Sequence, residues 1–185
     1  MRPDNMNPER GYAFWLFGLS GAGKSTLAGR LAAALRAEGR VVLALDGDVL
    51  RHGLCHGLGF SDEDRAENLR RAAETARLGL DSGLCVVASF ITPLERNRAA
   101  VRATAGAERI ALVHVDAPLE VCRTRDVKGL YARAAAGQVP QMTGLSSAFE
   151  PPRQADLVLA TGTETVEFSV QRLVTFARDR LSAQS

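Results

Sequence analysis

Gly18-Leu-Ser-Gly-Ala-Gly-Lys-Ser25 lies between an apolar run ending at Phe17 and a helix-forming segment that begins at Thr26. The pattern G-x-x-x-x-G-K-[ST] is that of a phosphate-binding loop. Its glycines let the chain curl until successive backbone N–H groups point inward at an anion. Lys24 adds a point charge toward the β/γ-phosphates and Ser25 offers a hydroxyl to Mg²⁺. The helix that follows presents its unpaired N–H groups and positive dipole end to the same anion. A Gly-rich turn with a surface lysine would explain the composition, but not the order of strand, loop, Lys-Ser pair and helix.

Outward from this loop, the chain alternates buried strands with helices. The nearly continuous apolar run at 12–17 reads as a parallel strand covered on both faces. The helix after the loop stops near Glu38, where Gly39 ends it. A second strand, 41–45, leads into Asp46-Gly47-Asp48, which places two carboxylates at the strand end where α/β folds bind ligands. One of Asp46 and Asp48 is expected to serve a metal and the other to accept a proton, with a plain Asx turn as the alternative. Residues 49–60 read as a glycine-rich loop carrying Arg51. Ser61 with Asp64 approximates a capping box for a helix through about Asp81, on which Arg65, Asn68 and Ala72 share a face.

Strands at 84–88, 110–115 and 157–159 complete a set of five, and 166–181 forms a closing amphipathic helix with Val166, Val170, Leu173 and Val174 on its apolar side. Thr92 is a hydroxyl at the ligand-binding edge, and Pro93 is placed to open the next helix. Residues 126–152, with Lys128, Tyr131 and Arg133, form a long aperiodic stretch, which reads as a lid. The expected architecture is a three-layer α/β phosphate-loop NTPase/kinase fold around a parallel sheet of about five strands.

Composition sets the remaining bounds. The 185 residues fit one domain preceded by a polar tail over 1–10, and 46% hydrophobic with 24% charged residues is ordinary for a soluble domain. A net charge of +2 offers no basic field for nucleic acid. Three cysteines without C-x-x-C spacing suggest neither disulfides nor zinc, and the first ten residues lack an apolar span, so a cytoplasmic, non-membrane protein is expected.

Taken together, Gly18-Leu-Ser-Gly-Ala-Gly-Lys-Ser-Thr26, Asp46-Gly-Asp48, Arg51-His-Gly-Leu54, Leu58-Gly-Phe-Ser61, Asp64-Arg-Ala-Glu-Asn68, Pro118-Leu-Glu-Val-Cys122, Asp126-Val-Lys-Gly-Leu-Tyr131 and Thr143-Gly144 resemble the adenylylsulfate kinases over residues 12–173. Such enzymes phosphorylate the 3′-hydroxyl of adenosine 5′-phosphosulfate (APS) with MgATP, in sulfate activation. The resemblance implies that Gly18, Leu19, Ser20, Gly21, Ala22, Gly23, Lys24, Ser25 and Thr26 hold ATP, with Ser25 and Asp46 at Mg²⁺. It implies APS contacts from Asp48, Arg51, Arg65 and Asn68, stacking of Phe60 on the adenine, and further contacts from Ile91, Lys128 and Met142. Lys24, Asp46, Asp48 and Thr92 are the candidate catalytic residues, and a homodimer is implied.

Three positions depart from the family pattern. Val49 replaces the residue after Asp-Gly-Asp that is usually Asn. Thr92 replaces a serine that is phosphorylated in some members and is not expected to be needed for direct transfer. Met142 replaces a phenylalanine before Thr-Gly. These leave open a kinase of the same fold acting on another nucleotide-like acceptor; a non-catalytic nucleotide-binding module is the third possibility.

Overall fold

The structure is a computed structural model, and it describes residues 11–127, 129–137 and 142–183. Strand β1 (Ala13–Phe17) is followed by α1 (Lys24–Ala37), β2 (Val42–Asp46), α2 (Gly47–His52), α3 (Asp62–Asp81) and β3 (Cys85–Phe90). Then come α4 (Glu95–Ala105), β4 (Ile110–Asp116), α5 (Leu119–Arg125), α6 (Leu130–Ala135), β5 (Leu157–Ala160) and α7 (Val166–Ser182). The sheet order is β2-β3-β1-β4-β5 and each pairing is parallel, so the expected α/β fold class is the observed one.

β1 is central because each of its side chains is apolar and fully buried. Phe14 and Leu16 enter a core built with Leu27, Leu31 and Leu35 of α1 and Leu173 of α7. Ala13, Trp15 and Phe17 enter the opposite core, with Leu69, Ala72 and Ala76 of α3 and Val101 of α4. Burying each large apolar side chain contributes on the order of 1.5–3 kcal/mol, so β1 alone anchors both layers. Its neighbours β3 and β4 leave it in opposite directions across the sheet. That switch point opens a crevice at the C-terminal strand ends, where the phosphate loop sits.

Several boundaries differ from the sequence reading. Residues 47–52 are helical rather than loop, because the Asp46 carboxylate accepts the Asp48 N–H at 2.9 Å and starts a turn that Gly53 ends. Pro93 does not open α4. Thr92, at φ 43°, turns the chain beforehand, and the helix begins at Glu95, whose N–H is capped by the Glu150 carboxylate at 2.6 Å. The aperiodic stretch contains α6, whose first turn is held by Asp126 accepting from Tyr131 N and Ala132 N at 3.0 and 2.9 Å. The Ser61 cap is as read, its hydroxyl accepting the Asp64 N–H at 3.1 Å. Lys128, residues 138–141 and the polar tail lie outside the described residues.

A column of stacked groups lies beneath the sheet's ligand edge. His114 of β4 is buried between Phe17, at 5.0 Å, and Phe149, at 6.0 Å, and the Arg98 guanidinium lies 5.2 Å from the Phe17 ring. Burial pushes the His114 imidazole below its ordinary value of 6.5; nearby Asp116 opposes the shift and Arg98 adds to it. A depressed folded-state value means that protons bind the unfolded chain better. Stability should therefore hold above about pH 6.5 and fall as the pH drops below it. Urea unfolding across pH 5–8 checks this, and His114→Phe, which keeps the stack but cannot titrate, should show a shallower acid loss.

Candidate active site

The phosphate loop owes its shape to contacts as much as to sequence. Gly18 has φ 148°, and a Cβ there would lie 2.3 Å from the Val115 carbonyl oxygen. Gly23, at φ 102°, has open space around it, so only its left-handed backbone calls for glycine. α1 begins directly after it with no side-chain cap, leaving its first N–H groups for an anion. Lys24 Nζ donates to the Leu19 carbonyl at 2.7 Å, which folds the ammonium back over the loop.

Asp46 ties the loop to the sheet. Its Oδ2 accepts from Ser25 Oγ at 2.8 Å and from Ser89 Oγ of β3 at 2.6 Å, while Oδ1 takes the Asp48 N–H. Asp48 is exposed in the first turn of α2 and borders the same cleft. Among the described residues no group of three or more His, Cys, Asp or Glu side chains could hold a metal. One hydroxyl and one carboxylate beside a phosphate loop fit Mg²⁺, which keeps several waters and takes its remaining ligands from phosphates.

The cleft has a volume of about 460 Å³. Toward the β2 edge it is bordered by Arg51, Phe60, Arg65 and Asn68, and its wall includes Phe90, Ile91, Thr92 and Pro93. Phe60 is 55% exposed, with the Arg51 guanidinium 4.4 Å and the Arg65 guanidinium 5.7 Å from its ring centre. An aromatic face held open in this way is available for a planar ligand. Arg51 Nη1 is fixed by the carbonyls of Leu58 and Gly59, at 3.1 and 2.9 Å. Arg65 donates to Phe60 O and to Thr143 Oγ1, at 2.8 and 2.9 Å. Burial and then the like charge of Arg51 lower the Arg65 pKa, so the pair favours an anion between them. Asn68 is buried, and its Oδ1 has no hydrogen-bond partner, an acceptor waiting for a donor.

Two further sequence-derived candidates are buried rather than exposed. Met142 is 5% exposed and packs in the α1/α7 core, where a flexible thioether fills space between layers. Thr92 borders the cleft, but it is 1% exposed and its Oγ1 accepts from Trp15 Nε1 at 2.9 Å. Ile91 is where the sequence reading puts it, in the wall. The sequence reading missed the β5 side of the cleft. There Arg125 donates to Thr161 O at 2.6 Å, and Glu164 and Val166 form the border, although Val166 had been assigned to the apolar face of α7. Thr161 directly follows β5, so the strand-end rule applied to Asp46 would have found it.

A family model described as adenylylsulphate kinase matches residues 10–160. The chain belongs to the adenylylsulfate kinase family. It is 50% identical over 167 residues to the adenylyl-sulfate kinase of Shewanella amazonensis, covering 90% of this chain and 84% of that one. It is also 50% identical to that of Paraburkholderia xenovorans, covering 91% and 94%. The Mycobacterium tuberculosis APS kinase, solved in complex with AMPPNP and APS, superposes with a TM-score of 0.86 at 40% identity, covering 91% of this chain and 98% of that one. Membership makes the chain an ATP-dependent kinase.

The orphan acceptor of Asn68 yields a stability test. Asn68→Leu exchanges a buried amide whose oxygen is unsatisfied for an apolar side chain of similar size, so the variant should match or exceed the wild type by up to about 1 kcal/mol in urea unfolding. A protein kept for folding alone would gain from that change; one that uses Oδ1 for a ligand loses affinity while gaining stability.

Proposed function

We propose that the chain transfers the γ-phosphoryl group of MgATP to the 3′-hydroxyl of APS, releasing ADP and 3′-phosphoadenosine 5′-phosphosulfate for sulfate activation. The observation that carries this is the pairing, within one cleft, of a phosphate loop anchored by Asp46 with an aromatic ring flanked by two guanidinium groups. One half suits a triphosphate. The other suits a purine carrying an anionic tail: Phe60 offers a stacking face, Arg51 and Arg65 offer charge, and Asn68 Oδ1 accepts from an amino group.

The two aspartates divide the work by their surroundings. The Asp46 carboxylate is occupied by Ser25, Ser89 and the α2 backbone, so it holds the loop hydroxyl in place. Ser25 Oγ and the Asp46 carboxylate are the groups that would hold Mg²⁺, which when bound supplies positive charge beside the phosphates. Exposed Asp48 orients the 3′-hydroxyl and takes its proton. As the acceptor oxygen bonds to the γ-phosphorus, the bond from that phosphorus to the β–γ bridging oxygen breaks and ADP leaves with the electron pair. Lys24 and the loop N–H groups stabilise the charge that develops. Lys128, outside the described residues, is assigned to the lid over the anions.

The three departures from the family pattern do not favour another acceptor. Val49 and Met142 are not among the described residues bordering the cleft, and the Thr92 hydroxyl already has an internal partner. No helix among the described residues is long and apolar enough to cross a membrane. A single kinase domain acting in the cytoplasm as a homodimer completes the reading, supported by the family resemblance; sedimentation velocity checks the last point, with a monomeric mass against it.

The deciding assay couples ADP release to a panel of adenine and cytosine nucleotides, with product masses determined. Preference for APS with a 3′-phosphorylated product is expected; activity confined to another acceptor overturns the assignment. Asp48→Ala should lower turnover by at least about 100-fold, the usual worth of a general base, with ATP affinity nearly unchanged. Near-normal turnover would remove Asp48 from the chemistry.

A further inference from the structure

Thr92 is the one β-branched residue in the left-handed backbone region among the described residues, at φ 43°. A non-glycine residue there is strained, and the conformation persists only where the surroundings over-determine it. Two side chains from different elements do so. Trp15 of β1 is fully buried, stacks on Phe90 at 4.7 Å and donates its indole N–H to Thr92 Oγ1. Arg98 of α4 is 1% exposed and donates from Nη1 to the carbonyls of both Thr92 and Pro93, at 3.1 Å each. Its Nη2 reaches Glu150 O at 3.0 Å and Glu95 Oε2 at 2.8 Å.

The strained residue is therefore gripped by its side chain from below the sheet and by its backbone from the helix. Its neighbours Ile91 and Pro93 border the cleft, and the Ile91 carbonyl accepts the Gly18 N–H at 3.2 Å, where the phosphate loop begins. One neutral bond from a buried indole and two from a buried charged donor together hold the strained conformation in place.

We propose that Trp15 and Arg98 are positioning residues that clamp Thr92 and so fix the 91–93 wall against which the acceptor nucleotide is aligned. The clamp rests on the function proposed above, since it sets the acceptor rather than the ATP. The phosphate loop has its own support in the packing of Gly18 against Val115. Reacting groups must be held close to their attack geometry, and misplacement of about 1 Å costs up to about 100-fold. Losing the clamp should therefore appear in the acceptor kinetics first.

Thr92→Val preserves the side-chain shape and removes the acceptor for the indole N–H, while Thr92→Ser retains it. Trp15→Phe is the complementary variant, keeping a ring over Phe90. With APS and MgATP, Thr92→Val and Trp15→Phe should each raise KM for APS about five- to tenfold, the worth of about one hydrogen bond, and leave KM for ATP within about twofold. Thr92→Ser should restore KM for APS toward the wild-type value. Trp15 is the sole tryptophan of the sequence, so its emission reports the bond directly: the maximum should move in Thr92→Val and stay in Thr92→Ser. A lower melting temperature with unchanged KM for APS would reduce the clamp to a packing feature and overturn the proposal, as would parallel changes in both KM values. Failure of the wild type to phosphorylate APS is a separate result, which overturns the function and the clamp's assigned role with it.

Discussion

The Asp46 carboxylate is the junction on which the site depends. It accepts hydrogen bonds from the first turn of α1, from β3 and from the start of α2, three elements that converge only because β2, β3 and β1 are laid side by side. A carboxylate bonded on both oxygens in this way is fixed, and it fixes the hydroxyl of Ser25 in turn. The carboxylate two residues later, Asp48, is exposed and borders the cleft. Two aspartates of identical chemistry thus sit in different environments, one bonded to three elements and one exposed at the cleft.

Beneath this junction lies the two-sided burial of β1. Alternate side chains of a single five-residue strand serve two separate cores, so the sheet cannot shift relative to either helical layer without exposing large apolar groups. That rigidity lets the ligand edge hold conformations that need outside support: a phosphate loop packed closely against Val115, and a threonine at φ 43° secured by Trp15 and Arg98. The column of Arg98, Phe17, His114 and Phe149 extends the same support to the returning end of the aperiodic segment. Glu150 adds a cap to α4 from there. The wall of the site and the segment that crosses it are therefore joined through buried groups.

The elements whose cause is local were legible from the chain alone. A phosphate loop needs glycines at set spacings, a buried strand needs an unbroken apolar run, and Ser61 caps the helix it precedes. The order of chemistry along the strand ends also followed, because parallel strands bring their C-terminal ends to one edge. Elements set by partners distant in sequence were not legible. The Asx-turn alternative covers the bond from the Asp48 N–H to Asp46, but nothing near residue 47 announces that the same carboxylate will bind two serines as well. A glutamate 55 residues away caps α4 in place of Pro93. Arg125, Thr161 and Glu164 gained a place at the cleft only when β5 closed the sheet edge beside β4.

Thr92 and Met142 make the division plain. As types in a sequence, a hydroxyl and a thioether near a nucleotide site both invite a role toward the ligand. In the fold, the hydroxyl is bonded to an indole 77 residues earlier and the thioether fills a gap in the core. By itself the sequence determined the phosphate loop and the parallel α/β layers, because those depend on backbone freedom and apolar periodicity between near neighbours. Tertiary structure alone decided which aspartate is anchored, which hydroxyl is spent and which side chains face the cleft, because hydrogen-bond partners and burial are settled by elements that meet only when the sheet is assembled.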